Sequence, residues 1–198
     1  IALIGDFSIG KRSLLETYID NDEKSAINAT IGVDFRHSIV HRSNYTYKLH
    51  LWDTAGQEQF KAVVTSYFRD LNVAVVLFDV TNINSFNNLD KWINLVHFIN
   101  KNEDLLIYLV GHKIDCKERE ILESMIKKKV KLFDCKYYET TIKKPETINK
   151  LFSDIVDDIH NLNVQNKIQL KTYYQLDEFE IKEKKEKKKR KSNCCLIQ

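Results

Sequence analysis

A length of 198 residues with 43% hydrophobic side chains suits one folded domain with its own core and a tail. No apolar run is long enough to span a bilayer and no signal peptide opens the chain, which argues against an integral membrane protein. The net charge of +3 hides an asymmetry: residues 182–191 hold eight basic and two acidic side chains, leaving 23 basic and 26 acidic ones elsewhere. Only the tail is therefore expected to attract an anionic partner.

The first half of the chain alternates short apolar runs with helical spacing. Residues 1–5 predict a buried strand that enters a glycine loop, and residues 12–20 predict the helix behind it. Residues 33–42 and 45–53 alternate around Ser43-Asn44, which predicts an antiparallel hairpin. The continuous apolar runs at 73–80 and 105–111 are typical of strands covered on both faces.

The second half continues this alternation. Residues 83–101 and 118–133 have helical spacing, residues 136–140 predict a last strand, and residues 145–162 a final helix with Pro145 near its start. Alternating strands and helices predict a three-layer α/β domain with a mostly parallel sheet. Ligands of such sheets bind beyond the carboxyl ends of the strands, where the opening glycine loop lies.

The opening loop, GDFSIGKRS at 5–13, is laid out to hold phosphate. In the pattern G-x-x-x-x-G-K-[ST], backbone N–H groups wrap the phosphates, the Lys neutralises their charge and the hydroxyl binds Mg²⁺. Gly5, Gly10 and Lys11 fit this pattern. Arg12 stands at the hydroxyl position, and a guanidinium has no lone pair to offer a cation. Taken alone, a glycine loop that lacks this hydroxyl is weak evidence for phosphate binding.

Three further segments offer the chemistry of a nucleotide site. Asp53 ends a strand and can hold Mg²⁺ through water, Gly56 can donate its N–H to a terminal phosphate, and Gln57 can orient an attacking water. The hydroxyl of Thr30 is a second possible Mg²⁺ ligand. Asp115 can accept hydrogen bonds from N1–H and N2–H₂ of guanine, an edge that adenine lacks. Taken singly, each segment also fits an ordinary polar loop.

Taken in order, GDFSIGKRS, TIGVDF, WDTAGQE, HKID and ETTIKK resemble the motifs of the Ras-like small GTPases. The stretches IGVDF, KLHLWDTAGQEQF, SYFRD and FDVTN resemble more specifically the Rab branch, over roughly residues 1–160. The resemblance implies the P-loop small-GTPase fold, with a six-stranded, mostly parallel sheet flanked by helices. It also implies binding of GDP and GTP with Mg²⁺, slow GTP hydrolysis, and a role in vesicle traffic.

The resemblance assigns a role to each matching residue. It places Lys11 on the β- and γ-phosphates, Thr30 and Asp53 on the Mg²⁺ side, Gly56 on the γ-phosphate, and Gln57 on the attacking water as the catalytic residue. Asp115 reads the guanine edge. The remaining nucleotide-binding positions are Ser8, Ile9, Gly10, Arg12, Ser13, His112, Lys113, Thr141, Ile142 and Lys143. Phe35, Trp52 and Tyr67 match the aromatic triad that Rab proteins present to effectors.

Several positions depart from the family. Arg12 removes a Mg²⁺-ligating hydroxyl, while Ser13 keeps the next one. Phe7 replaces a small residue beside the γ-phosphate, where a ring is expected to crowd Gln57 and exclude an arginine finger worth about 10³–10⁵ in rate. Glu23 replaces an aromatic that packs on guanine, and His112 replaces an Asn that contacts the base. Two hypotheses follow: a guanine-nucleotide switch with reduced Mg²⁺ dependence and slow hydrolysis, or a pseudo-GTPase interaction module that binds nucleotide weakly or not at all.

The predicted organisation is a nucleotide-binding domain over 1–162, a flexible basic linker over 163–193 and a lipidation signal over 194–198. Cys194 and Cys195 fit two geranylgeranyl chains, or one farnesyl chain with palmitate. Stable anchoring takes two signals, and the basic run adds attraction to an anionic leaflet. The same run also fits a nuclear-localisation or nucleic-acid patch, although the adjacent cysteines favour a membrane.

The expected setting follows from these features. Four cysteines do not make a disulfide framework in a chain of this size, which indicates a reducing, cytosolic compartment. We expect a monomer on the cytoplasmic face of an intracellular membrane, with a cytosolic pool and no nucleic acid partner. The resemblance implies effector, exchange-factor and GTPase-activating proteins as partners. Because the chain opens on Ile1, a few residues are expected to precede it.

Overall fold

The computed structural model describes residues 1–20, 33–54, 67–102, 104–168 and 170. Its strands are β1 (Ala2–Ile4), β2 (Val33–Arg42), β3 (Tyr45–Thr54), β4 (Val73–Asp79), β5 (Leu106–His112) and β6 (Lys136–Thr140). The helices are α1 (Lys11–Asp20), α2 (Ile83–Asn87), α3 (Leu89–Ile99), α4 (Glu123–Phe133) and α5 (Pro145–Val164).

The six strands form one sheet in the order β2-β3-β1-β4-β5-β6. β2 and β3 pair antiparallel around the turn at Ser43-Asn44, and the other neighbouring pairs are parallel. The hairpin register sets Asp34 opposite Asp53 and Phe35 opposite Trp52. This arrangement confirms the predicted fold class, a mostly parallel six-stranded sheet flanked by helices.

Helices cover both faces of the sheet. Every residue of β4 is buried, as expected of a strand that is apolar up to its last residue, Asp79. On one face, α3 and α4 contribute Trp92, Ile93 and Ile126 to a core shared with alternate strand residues. On the other face, the Tyr18 ring of α1 stacks on Phe152 of α5 with ring centroids 3.9 Å apart. The carboxyl ends of the parallel strands are left open at one edge.

Two helix predictions were wrong in part, for identifiable reasons. The helix predicted over 83–101 is divided at Asn88, which ends α2 and precedes α3. The helix predicted over 118–133 begins only at Glu123. Before it, the N–H of Glu120 donates to the Val80 carbonyl (2.9 Å), so a tertiary hydrogen bond replaces the helical one.

The chain divides into two compact units, Ile1–Asn161 and Leu162–Gln198. In the second, the N–H of Lys167 donates to the Leu162 carbonyl (2.9 Å). The linker beyond residue 170 and the lipidation signal lie outside the described residues, so the predicted boundaries at 162, 193 and 198 stay predictions. Among the described residues, no helix combines the length and apolar character needed to cross a bilayer.

Candidate functional site

The predicted site residues gather where β1, β3, β4 and β5 end. β1 leads into the glycine loop, β3 carries Asp53 near its end, β4 ends on Asp79, and β5 ends on His112. Parallel strands bring their carboxyl ends to one edge, so segments distant in the sequence meet there. The geometry of this edge decides what it can bind.

The glycine loop needs both of its glycines. Gly5 has φ +140°, and a Cβ there would lie 2.4 Å from the Leu77 carbonyl oxygen. Gly10 has φ +98°, and its Cβ would lie 2.7 Å from Cδ2 of His112. Any side chain would therefore be strained and would collide. The loop delivers the chain to α1, whose first N–H groups have no intrahelical partner and can face an anion.

Lys11 holds its ammonium group inside the loop. Its Nζ donates to the carbonyl oxygens of Gly5 (2.9 Å) and Asp6 (2.6 Å), and the residue is only 6% exposed. Burial lowers the pKa of Lys11 to about 8, against the attraction of Asp53 and Asp6. The group is therefore mainly cationic at neutral pH and already close to the loop backbone that would wrap phosphate.

Asp53 provides a carboxylate that attracts the Lys11 ammonium group. Burial raises the pKa of Asp53 to about 6, Lys11 lowers it, and the facing Asp34 raises it further. Asp34 pairs with Arg36 at 3.0 Å, yet its Oδ1 is buried without a hydrogen bond. A nearby divalent cation would favour the ionised form of Asp53 against the burial and the repulsion by Asp34 that raise its pKa, so Asp53 fits a Mg²⁺ site.

Arg12 does not fit the same metal. Its Nε donates to Glu16 one turn along α1 at 2.8 Å, and its side chain is 66% exposed. The guanidinium thus lies on the helix surface and supplies no oxygen. In the described segments, no three His, Cys, Asp or Glu side chains form a metal cage. This is compatible with Mg²⁺, which typically takes one or two carboxylates and completes its shell with water and phosphate.

The residues predicted to read guanine converge on Asp115. The Thr141 hydroxyl donates to its Oδ1 at 2.5 Å, and Lys143 Nζ lies 2.6 Å from its Oδ2. Hydrogen bonds from Lys143 and then Thr141 lower the pKa of Asp115 to about 2. The carboxylate is therefore fully ionised and solvent-facing, as an acceptor for two N–H donors must be.

Lys113 ties this loop to the glycine loop. Its backbone takes φ +65°, and its Nζ donates to the Ser8 carbonyl at 3.0 Å. The same Nζ pairs with Asp79 at 2.6 Å. Asp79 in turn accepts hydrogen bonds from the N–H and hydroxyl of Thr81. Sequence reasoning missed Asp79, although a carboxylate that ends an otherwise apolar strand is the signal that could have found it.

His112 fills the space between the two loops. The residue is 2% exposed, its Nδ1 lies 2.9 Å from the Thr140 hydroxyl, and its ring lies against Gly10. Burial and the neighbouring Lys113 lower the pKa of His112 to about 4. The ring is therefore neutral at physiological pH, with one nitrogen that donates and one that accepts.

The aromatic triad forms a single cluster. Phe35 and Trp52 have ring centroids 4.5 Å apart, and Trp52 and Tyr67 lie 4.7 Å apart. All three side chains are partly exposed. They thus form a continuous surface made of two hairpin residues and Tyr67, as a partner-binding role requires.

The other predicted positions fall into two groups. Phe7 is 67% exposed, Ile9 is buried, and Ser8, Ser13 and Ile142 are exposed. The predictions for Glu23, Thr30, Gly56, Gln57, Cys194 and Cys195 lie outside the described residues. The glycine loop, Asp53 and the Asp115 loop nevertheless meet at one edge.

The comparison with protein families agrees with this geometry. The model of the Ras family matches residues 1–161 of the chain.

Proposed function

Because the chain belongs to the Ras family of small GTPases, we propose that it acts as a Rab-like GDP/GTP switch on an intracellular membrane. In this role it would regulate vesicle traffic and hydrolyse GTP slowly. The observation that carries the proposal is the convergence of Lys11, Asp53 and Asp115 at one sheet edge. These groups match a triphosphate, its metal and a guanine base.

Phosphate binding depends on Lys11 and on the start of α1. The ammonium is held by two carbonyls, and its third N–H can donate to phosphate oxygens of opposite charge. The free N–H groups of α1 add a favourable dipole at the same place. Because the loop backbone is fixed by Gly5 and Gly10, this arrangement exists before the ligand arrives.

Guanine recognition depends on Asp115. Thr141 and Lys143 occupy its two oxygens, so N1–H and N2–H₂ of guanine would share or replace these donors. Lys113 keeps this loop in register with the phosphate loop through Ser8. His112 takes the position of the Asn found in the family, and its buried, neutral ring packs between Gly10 and Thr140.

Hydrolysis is expected to be slow. Asp53, with Thr30, would hold Mg²⁺, which when bound supplies positive charge to the transferring phosphoryl group. Gln57 is proposed to orient the water. The exposed ring of Phe7 stands in the phosphate loop, where bulk would hinder both this water and a partner's arginine.

Membrane attachment and partner binding complete the proposal. Lipids on Cys194 and Cys195, with the basic run before them, would anchor the chain to an anionic leaflet. The Phe35–Trp52–Tyr67 cluster would bind effectors. Exchange factors and GTPase-activating proteins would set the nucleotide state of a monomeric switch.

A pseudo-GTPase remains the second candidate. It is favoured by Arg12, whose side chain is committed to Glu16, and by Asp115, whose oxygens are already satisfied within the chain. The two candidates differ in affinity. A switch binds GDP and GTP tightly and rejects ATP, whereas the pseudo-GTPase binds all three weakly or not at all.

Titration of the full chain with fluorescent GDP, and competition by GTP and by ATP, separates the candidates. The switch predicts submicromolar binding (Kd below about 10⁻⁶ M, or about −8 kcal/mol) that only guanine nucleotides displace. Equal competition by ATP, or no binding at micromolar nucleotide, contradicts it.

Detergent partitioning of the lipidated chain tests the anchor. The wild type is expected in the detergent phase, and a Cys194→Ser/Cys195→Ser double variant in the aqueous phase. Equal partitioning contradicts the lipid anchor and leaves the nucleotide switch standing.

A further inference from the structure

The side chain of Asp6 turns away from the phosphate loop and binds α3. Trp92 Nε1 donates to Asp6 Oδ1 at 2.7 Å, and Asn88 Nδ2 donates to Asp6 Oδ2 at 2.8 Å. The donors lie 86 and 82 residues further along the chain. Trp92 is only 6% exposed, so its indole N–H needs a partner inside the protein. Both carboxylate oxygens are therefore fixed by one helix.

The backbone of the same residue holds Lys11. The Asp6 carbonyl accepts from Lys11 Nζ at 2.6 Å, shorter than the 2.9 Å bond to Gly5. A continuous path of contacts thus runs from α3 through Asp6 to the ammonium group. Movement of Asp6 would displace the carbonyl that positions this cation.

The side chain of Asn88 does not cap α3, although its position would allow it. It lies at the N-cap of α3, where Asn side chains commonly accept a hydrogen bond from the helix, yet it makes no side-chain cap bond. Its amide is directed at Asp6 instead. The start of α3 therefore lacks its side-chain cap, and the glycine loop gains an anchor.

Electrostatics alone would disfavour an acidic residue in a phosphate-binding loop. A carboxylate next to a polyphosphate repels it, so another role of Asp6 must offset this repulsion. Two N–H donors direct the Asp6 oxygens toward α3. The carboxylate thus serves as an anchor, while the carbonyl of the same residue faces Lys11.

We propose that Asp6 is a positioning residue for Lys11. Through Trp92 and Asn88, α3 fixes the first turn of the phosphate loop, so that the Lys11 ammonium lies where the β- and γ-phosphates bind. This inference rests on the proposed binding of guanine nucleotide. It adds that α3, which need not touch the nucleotide, contributes to its affinity.

The test uses Trp92→Phe and Asn88→Ala in the full chain. Trp92→Phe keeps the ring packing and removes the N–H, while Asn88→Ala removes the second donor. Asn100→Ala is the matched control, because it makes the same substitution at the other end of α3, where Asn100 Nδ2 donates to the Leu71 carbonyl at 3.0 Å. The readouts are the Kd for fluorescent GDP and the melting temperature.

Trp92→Phe and Asn88→Ala are each expected to weaken GDP binding about tenfold, as the loss of a hydrogen bond to a carboxylate suggests. Asn100→Ala is expected to leave the Kd unchanged even where its melting temperature falls. Loss of affinity in all three variants, in proportion to melting temperature, would show a merely structural role and overturn the positioning role.

Asp6→Ala gives a test by the direction of the change in affinity, measured at pH 6, where Lys11 keeps its proton even without the attraction of Asp6. If Asp6 acts only through charge, removing the carboxylate tightens GDP binding. If it positions Lys11, Asp6→Ala weakens binding, and adding Trp92→Phe causes no further loss because Ala already lacks the acceptor for Trp92. Tighter binding, or fully additive losses, overturns the proposal.

The outcome also separates this inference from the function beneath it. If the wild type binds GDP and Trp92→Phe and Asn88→Ala have the same Kd, the positioning role alone is overturned. A wild type that binds neither GDP nor GTP overturns the proposed switch and this inference together.

Discussion

Replacing Arg12 by Ser restores the missing hydroxyl at little cost to the fold. The Arg12–Glu16 pair is an exposed i,i+4 pair, 66% and 45% exposed, of a kind worth about 0.3–0.5 kcal/mol. Against this loss, removing a cation from the first turn of α1 relieves an unfavourable dipole interaction of about 0.3–1 kcal/mol. The free energy of unfolding should therefore change by less than about 1 kcal/mol, so any change in nucleotide binding is local.

The effect of Arg12→Ser should appear in the metal dependence of nucleotide release. Losing a residue that merely hydrogen-bonds a metal ligand lowers metal affinity ~10–100-fold. A direct ligand such as the restored hydroxyl should contribute at least as much. Fluorescent GDP release is measured with Mg²⁺ and then with EDTA. EDTA is expected to accelerate release from the Arg12→Ser variant at least about tenfold more than from the wild type. Glu16→Gln is the control, since it breaks the same ion pair and leaves Arg12 in place.

Two results would refute this reasoning. Equal acceleration by EDTA in the wild type and in Arg12→Ser would show that Arg12 does not reduce the Mg²⁺ dependence. Acceleration in Glu16→Gln as large as in Arg12→Ser would show that the broken ion pair, and not the restored hydroxyl, causes the change.

Four further outcomes are expected. The pKa of His112 is about 4 in the folded chain and about 6.5 in the unfolded chain. As the pH drops from 6.5 to 4, the free energy of unfolding of the wild type, measured with urea, should therefore fall by roughly 3 kcal/mol relative to that of His112→Asn. A difference that stays constant with pH contradicts the buried neutral ring. Because Lys11 loses its proton above a pKa of about 8, GDP affinity should fall as pH rises from 7 to 9, and a flat titration curve would exclude this cation as the phosphate ligand. Asp115→Asn should weaken GDP binding by roughly 10–100-fold in fluorescence titration, and unchanged affinity would remove Asp115 from the guanine site. Phe7→Gly should raise the rate of single-turnover GTP hydrolysis with little change in GDP affinity. An unchanged rate would show that the Phe7 ring does not slow hydrolysis.

The strands were predictable because their apolar patterns are long and unambiguous. The run at 73–80, which is apolar except for Asp79, and the hairpin around Ser43-Asn44 appear at the predicted places. The helix starts were less predictable, because they depend on contacts that are distant in sequence. The segment before α4 is held to β4 by the Val80 carbonyl, and no local pattern indicates that bond.

The functional site was likewise predictable only in part. Motifs predicted the chemistry of Lys11, Asp53 and Asp115, since each type of residue has a clear role in its motif. They could not show that Arg12 turns to Glu16, because side-chain direction on a helix surface depends on its neighbours. They also gave no sign that the Asp6 carboxylate reaches α3, more than 80 residues away.

The most direct test of the guanine-nucleotide switch is the identity of the nucleotide that the purified chain carries. The full chain is purified without added nucleotide, denatured, and the supernatant separated by anion-exchange chromatography. We expect GDP or GTP in near-stoichiometric amount and no adenine nucleotide. Adenine nucleotide in their place would contradict the assignment of Asp115, and the absence of any nucleotide, together with no binding at micromolar GDP, would contradict the switch itself.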